Sequence, residues 1–154
     1  MFELDEVDRK VLEVLKDNSR LPAREVSKKA GIPLATANRR MRKLAESGII
    51  KRFTTELDYE KLGRTTVAYV LIRAKPGADQ NDILREAAKY EIVEDMAAIT
   101  GSFDIMLKVR VKDNDELSNF LFRNVRQFKS VAQTETMIGL NLKPYMERQS
   151  ILPK

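Results

Sequence analysis

The sequence contains no cysteine, no histidine and no tryptophan. Without Cys or His there can be no disulfide framework, Cys/His zinc site, Cys nucleophile or Ser-His-Asp triad. Carboxylates do cluster at Glu94-Asp95 and over residues 113–116, but a strand start and a helix start explain them as solvated or capping groups. The sequence therefore predicts a protein that is not an enzyme, with no catalytic residue, metal or cofactor.

Long hydrophobic runs are also lacking. No apolar stretch approaches the roughly 18 residues that a membrane helix needs. The first ten residues mix acidic and basic side chains, whereas a signal peptide would be basic and then apolar. We therefore expect a cytoplasmic protein. Its 154 residues, 43% of them hydrophobic, are enough for one ordinary domain or two small ones.

The positive charge is unevenly distributed along the chain. Between Arg20 and Arg52 there are ten basic and two acidic residues, although the net charge of the whole chain is only +5. From Thr65 to the end the counts are 13 and 12. A positive field confined to one short segment is typical of a surface that binds phosphates.

The first half of the chain is predicted to form three short helices. Apolar residues recur at helical spacing over residues 6–17, which predicts a first helix there. Asp5, just before it, and Asp8 together resemble a pair of residues that cap a helix start. Pro22 is suited to begin a second helix of eight or nine residues, and Gly31 to end it. Together with a third helix after a tight turn, this pattern indicates a helix-turn-helix.

The third helix is predicted to begin after Pro33 and to end at Gly48. If its inward stripe is centred between Ala37 and Met41, a rotation of 100° per residue defines the outward face. This face comprises Ala35, Thr36, Arg39, Arg42, Lys43 and Glu46, flanked by Asn38 and Arg40.

The outward face has the composition of a major-groove reader. Arg can pair bidentately with guanine, Asn with adenine, and Thr and Ala methyls can contact a thymine methyl. Arg40, Lys43 and residues of the second helix, Arg24 and Lys28, are predicted to hold phosphates. The alternative is a solvated basic helix face. The three-helix pattern and the local charge favour DNA contact.

Residues 49–55 are rich in strand formers and predict a short strand or wing. Residues 57–64 have the character of a connector. The predicted organisation is a winged or helix-turn-helix DNA-binding domain over 1–52, a linker strand or hinge over 53–64, and a second domain over 65–154.

The second half alternates strands and helices in the order βαββαβ. Strands are predicted at 65–74, 93–99, 103–111 and 131–142, and helices at 79–90 and 115–126. This order is the ferredoxin-like split unit, an antiparallel sheet with both helices on one face. The predicted fold class is therefore α+β.

The first of these strands should form part of a subunit interface. It does not alternate, since Val67, Tyr69 and Leu71 are apolar on one face and Ala68, Val70 and Ile72 on the other. Two helices cover only one face, so another subunit should cover the second. We expect at least a dimer, formed sheet against sheet or by strand addition. Such a dimer would present two reading helices to a pseudo-palindromic DNA site.

Several segments resemble one known family. LDEVDRKVLEVLKDNSR, AREVSKKAGI and TANRRMRKLAESGIIKRF resemble the helix-turn-helix of the Lrp/AsnC, or feast/famine, regulators, and ITGSFDIMLKV resembles the Gly-x-x-Asp turn of their effector domain. The resemblance covers nearly the whole chain. It implies a regulator of amino-acid or central metabolism that forms dimers and often octamers, with a small effector, usually an amino acid, bound between dimers.

The resemblance also implies an effector site. Its residues would be Thr100, Gly101, Ser102 and Asp104 in the turn, facing Thr134, Thr136 and Ile138 on the last strand. The Asp104 carboxylate could pair with an α-ammonium, and N–H groups around Gly101 could receive an α-carboxylate. Alternatively, Gly101 supplies a hairpin turn, Asp104 caps it and the threonines are ordinary strand residues.

The sequence departs from the family at Pro33-Leu34, where Ser or Thr commonly caps the third helix, and at Ala35 and Ala37, which are smaller than is common. The DNA sequence that the family recognises should therefore not be assumed for this protein.

Two other functions are compatible with the sequence: an architectural DNA-binding protein without an effector, or an ACT-like metabolite-sensing subunit. RNA binding ranks lower, because the strands lack an exposed aromatic pair to stack bases.

Overall fold

The computed structural model describes residues 3–140, which divide into two compact units, 3–57 and 58–140. The first unit contains three helices: α1 (Glu6–Asp17), α2 (Ala23–Ala30) and α3 (Leu34–Glu46). Their positions agree with those predicted from the apolar spacing.

The first unit has a small core that joins all three helices. Val11 and Leu15 of α1, Val26 of α2 and Leu44 of α3 are buried together. The start of α1 is fixed by a capping box, in which the Asp8 N–H donates to Asp5 Oδ1 (2.8 Å) and the Asp5 N–H to Asp8 Oδ2 (3.4 Å). These two bonds satisfy N–H groups that the helix itself leaves unpaired.

The turn between α2 and α3 has only three residues. Gly31 ends α2 in the left-handed conformation (φ +65°), which side chains other than Gly rarely adopt. The Ser27 hydroxyl donates to the Ile32 carbonyl (2.6 Å) and fastens the turn to α2. As the departure at Pro33 predicts, no side chain caps α3.

The predicted strand or wing at residues 49–55 is not formed. Ile49 and Ile50 pack against the helical core, and the Ile50 N–H donates to the Leu44 carbonyl (3.0 Å). Residues 51–58 are exposed and have no regular secondary structure. Strand formers need a ladder partner, and no strand occurs among the described residues of this unit.

The second unit is a four-stranded antiparallel sheet with two helices, and it confirms the predicted α+β, ferredoxin-like fold. Its elements are β1 (Thr66–Ala74), α4 (Gln80–Ala87), β2 (Val93–Ala98), β3 (Ile105–Val111), α5 (Asn114–Arg123), a short 3-10 helix (Val125–Gln127) and β4 (Val131–Ile138). The strand order is β2-β3-β1-β4. β1 and β3 are therefore central, and β2 and β4 form the edges.

Both helices of this unit end earlier than predicted. α4 stops at Ala87, three residues before its predicted end, and Ala88 is exposed. Beyond it, the Tyr90 ring packs edge-on against Phe120 of α5, and its hydroxyl accepts from the Asn124 side chain (2.9 Å). These contacts attach Tyr90 to α5 and the residue that follows it. The predicted end of the last strand, residues 141–142, lies outside the described residues.

The two faces of the sheet differ in burial. On one face Ala68, Val70 and Ile72 of β1 are fully buried with residues of β3, α4 and α5. On the other face Tyr69, Leu71 and Met106 are half-buried, and Met137 is 47% exposed. We refer to this second surface, centred on these four residues, as the open face.

Candidate functional site

The outward face of α3 is exposed because its opposite face forms part of the core. Ala37 and Leu44 are fully buried. Most of the residues predicted to touch DNA lie on the other side and are exposed, and Thr36 is half-buried. The exposed group consists of Ala35, Asn38, Arg39, Arg42 and Lys43 on α3, with Arg24 and Lys28 on α2. The structure thus presents all but two of the predicted DNA-binding residues to solvent.

These side chains differ in their local partners. Arg39 makes no ion pair with any residue in the described part of the chain. Lys28 Nζ lies 3.2 Å from Glu25, and Arg42 Nε lies 3.9 Å from Glu46. Both are exposed pairs between neighbouring helix turns, so they contribute little and can exchange for a phosphate. The Asn38 amide donates to the Leu34 carbonyl (3.3 Å).

Arg40 is oriented differently from its neighbours. Its side chain is 17% exposed, and Nη1 lies 3.0 Å from Asp8 Oδ1 and 2.5 Å from Asp5 Oδ2. Hydrogen bonds from the Asp8 N–H and from Arg40 hold the pKa of Asp5 below its usual value. The bond to Asp5, followed by that to Asp8, raises the pKa of Arg40. Arg40 therefore joins α3 to α1.

The predicted effector turn is tied to the end of β1. Asp104 accepts from the Ala74 N–H (2.8 Å) and from Gln80 Nε2 (3.4 Å) through its carboxylate. Gly101 adopts φ +118°, and the Arg73 Nε donates to the Ser102 carbonyl (2.9 Å). Asp104 thus already stabilises the turn, although a carboxylate has about four lone-pair sites and can accept further bonds.

The three β4 residues of the predicted effector site share the helix-covered side of the sheet. Thr134 lies opposite Ile72, Thr136 opposite Val70 and Ile138 opposite Ala68. Because β1 separates β4 from β3, which follows the turn, the backbones of β3 and β4 lie two strand spacings apart, about 10 Å. Thr134 lines an open surface cavity together with Arg126 and Gln133. The structure therefore brings Thr134 nearest to the turn and Ile138 farthest from it.

A charge cluster on the open face was not expected from the sequence, which indicated a solvated Glu94. Glu94 pairs with Arg110 and, at 3.0 Å, with Lys108. Desolvation raises the pKa of Glu94, but the hydrogen bonds from Arg110 and Lys108 outweigh it, so the pKa lies below its usual value. The side chain of Arg110 also stacks over the Tyr59 ring (4.3 Å). The sequence did contain one signal of this cluster: polar and apolar residues alternate along β3, which places Lys108 and Arg110 on the same face of the sheet.

Two family models match the chain. The model of winged helix-turn-helix DNA-binding domains matches residues 4–51, and that of the Lrp/AsnC ligand binding domain matches residues 67–149. The second match covers more than half of the chain. The chain belongs to the Lrp/AsnC family. The suggested resemblance is thereby confirmed.

Curated relatives agree with membership of the Lrp/AsnC family. The HTH-type transcriptional regulator FL11 of Pyrococcus horikoshii is 38% identical over 137 residues, 89% of each chain. FL11 of Pyrococcus furiosus is 36% identical over 139 residues, 90% of this chain and 91% of that protein. The matches therefore extend across both units of the Lrp/AsnC chain.

Solved structures show the same fold. AsnC of E. coli superposes with a TM-score of 0.85 at 26% identity, covering 97% of this chain and 99% of that one. A transcriptional regulator from Neisseria meningitidis, solved as a complex with L-Met, gives a TM-score of 0.88 at 24% identity, covering 98% and 97%. The protein is thus a transcriptional regulator of the Lrp/AsnC type, with a DNA-binding helix-turn-helix and a ligand-binding domain.

The described part of the Lrp/AsnC chain contains neither a cluster of metal ligands nor a membrane-spanning helix. Within residues 3–140, no three acidic side chains are grouped closely enough to hold a metal ion. None of the helices in the same range is long and apolar enough to cross a membrane.

Proposed function

We propose that this protein is a sequence-specific transcriptional regulator that reads a pseudo-palindromic DNA site through α3 and acts in the cytoplasm. The observation that carries the proposal is the exposed face of α3, where Arg39, Arg42 and Asn38 lie opposite the buried Ala37 and Leu44. Side chains of this kind, on a helix anchored from behind, are suited to base edges in the major groove. Arg24 and Lys28 on α2 are suited to the phosphates.

The effector in this proposal is an amino acid or a related small metabolite bound between dimers at the turn around Gly101 and Asp104. The match to the Lrp/AsnC ligand-binding domain supports a ligand in this half of the chain. The chemistry of the turn supports a zwitterion, since Asp104 can accept from an ammonium and exposed backbone N–H groups can receive a carboxylate. The complex with L-Met is a property of the Neisseria protein, whose similarity supports the shared fold.

The proposed assembly is a homodimer that associates further to an octamer. The open face supports the dimer, because Tyr69, Leu71, Met106 and Met137 form an apolar surface across three strands of the sheet, opposite the face that the helices cover. Contiguous exposed apolar surface of this kind is typical of a subunit interface. A two-fold dimer would also place two copies of α3 on two half-sites.

A DNA titration tests the function directly. Purified protein is titrated against the DNA upstream of its own gene and against a random duplex of equal length, at fixed salt, with and without a pool of the twenty amino acids. We expect preference for the upstream DNA by about a thousandfold or more, altered by the pool. Equally weak binding to both duplexes, unaffected by the pool, would instead indicate an architectural DNA-binding protein.

Arg39→Ala is expected to reduce affinity for the specific site by about 1 to 3 kcal/mol and to relax base preference there. The physical reason is that a guanidinium on the exposed face can pair with one guanine, which random DNA does not offer in register. Lys43→Ala is the matched comparison and should weaken binding to specific and random DNA alike. Competition titrations with both duplexes measure the two effects. Equal losses on both for Arg39→Ala would contradict its role as a base reader.

Asp104→Ala is expected to abolish the response to the amino-acid pool while the dimer remains folded. The substitution removes the carboxylate proposed for the ammonium, and it leaves the Ala74 N–H without its present acceptor, at a cost of about 1 kcal/mol. The response is measured as the change in DNA affinity on adding the pool, and folding by thermal unfolding. Glu91→Ala, an exposed carboxylate in another turn, is the control. An unchanged response would remove Asp104 from the site.

A further inference from the structure

Asp8 is the one charged residue among the described residues that is completely buried. It lies on the same side of α1 as Val11 and Leu15, three and seven positions later, which form the core. A buried carboxylate is strongly disfavoured unless a cation and further hydrogen bonds compensate for its lost hydration. The burial of Asp8 therefore depends on a cation that pairs with it.

The partner of Asp8 is Arg40 of α3. The two are joined by the 3.0 Å contact of Nη1 with Oδ1, and Lys43 Nζ approaches the other oxygen to 3.8 Å. Arg40 Nε is buried with no hydrogen-bond partner in the described part of the chain, so the guanidinium has given up hydration to reach this position. The Lys43 contact is longer than a hydrogen bond, so the bond from Arg40 is the one that fixes α3 against α1.

The apolar contacts of α3 leave its orientation weakly determined. Its fully buried side chains are Ala37, which is small, and Leu44, two turns later. Apolar contacts are non-directional, whereas a hydrogen-bonded ion pair fixes both distance and angle. Arg40 follows Arg39 directly, so the pair constrains the rotation of the helix beside the residue proposed to read bases. A single buried polar side chain fixes the register of neighbouring helices in coiled coils.

We propose that Asp8 and Arg40 are positioning residues that orient α3 for base reading, and that Arg40 acts through Asp8 without contacting DNA. The inference rests on the proposed function, because it requires sequence-specific binding. It differs from the phosphate contact that the sequence predicts for Arg40.

The experiment compares wild-type protein with Asp8→Asn, Arg40→Met and the double variant. Affinities for the upstream duplex and for a random duplex are measured over a range of salt concentrations, at a temperature where circular dichroism shows each protein folded. Glu13→Gln, which removes an exposed carboxylate from the same helix, is the matched control. If Arg40→Met does not fold because Asp8 is left unpaired, Asp8→Asn and the double variant carry the test.

Each single substitution should reduce the ratio of specific to random affinity by about tenfold, comparable to losing one base contact. The double variant should show no larger reduction of this ratio than either single variant, because each single substitution already breaks the Asp8–Arg40 pair. Asp8→Asn is the sharpest variant: it removes a negative charge, which by electrostatics alone would strengthen DNA binding. Arg40→Met should leave the salt dependence on random DNA unchanged.

Two results would overturn the inference alone. In the first, Arg40→Met keeps the ratio and reduces the slope of log affinity against log salt by about 0.9 on both duplexes, as loss of a phosphate contact does. In the second, Asp8→Asn behaves like Glu13→Gln and retains the wild-type ratio of specific to random affinity. Wild-type protein that binds both duplexes equally would overturn the proposed function, and the inference with it.

Discussion

Leu44→Ala is expected to unfold the helical unit and abolish DNA binding while residues 58–140 keep their structure. Leu44 is fully buried, and among the described residues it clusters with three other buried side chains, Val11, Leu15 and Val26, as the largest buried side chain of α3. Truncating a buried Leu to Ala costs about 2 to 5 kcal/mol. A core of this size supplies about 3 to 5 kcal/mol in total, so little or no net stability would remain.

Loss of helical circular dichroism and of binding to any duplex would show the unfolding of this unit, and a two-dimensional NMR spectrum would show that the sheet persists. Leu57→Ala is the control, since it makes the same chemical change at a side chain that is 50% exposed. Wild-type DNA binding by Leu44→Ala would mean that the helices can repack around the cavity and that the buried Leu is not required.

Leu71→Lys is expected to convert the proposed dimer to a monomer and to weaken binding to a two-half-site duplex by about a hundredfold or more. Leu71 lies at the centre of the open face, between Met106 on β3 and Glu135 on β4. In a sheet-to-sheet dimer the ammonium and the Glu135 carboxylate beside it would both lose their hydration, a cost that their mutual attraction in an interface rarely repays. In a monomer it can pair across the strands with Glu135, so the fold itself is preserved.

Sedimentation measurements give the subunit number, and titrations with duplexes of one and two half-sites give the loss of bivalent binding. Leu62→Lys places the same charge on an exposed Leu outside the sheet and should change neither. A Leu71→Lys protein that remains dimeric would exclude the open face as the interface and direct attention to the β2 and β4 edges.

Much of the fold could be predicted because it depends on local signals. The apolar spacing of α1, the glycine at the left-handed position after α2, and the β-branched run of β1 each specify their element from neighbours in sequence. The strand order follows from these elements, since a βαββαβ sequence has few ways to form one sheet. The strand predicted at 49–55 failed for the opposite reason. Its residues favour a strand, but a strand also needs a partner, and the described residues of this unit supply none.

The candidate site was less predictable, since its details depend on long-range pairs. Helical periodicity places Arg40 on a flank, and only contact with Asp8, 32 positions earlier, turns it inward. A signal was present: Asp8 occupies the apolar stripe of α1, which implies a buried cation somewhere in the fold. The bond from the Ala74 N–H to Asp104 had no such signal, because it depends on where β1 ends relative to the turn.

The separation of the two sides of α3 has an evolutionary consequence. Ala37 and Leu44 hold the helix in place, whereas Ala35, Asn38, Arg39 and Arg42 are exposed and not needed by the core. Substitutions at exposed positions of this kind usually change stability by no more than about 0.5 kcal/mol. A duplicated copy of this gene could therefore acquire a new set of target promoters through a few substitutions on one surface, without first acquiring a compensating change in the fold.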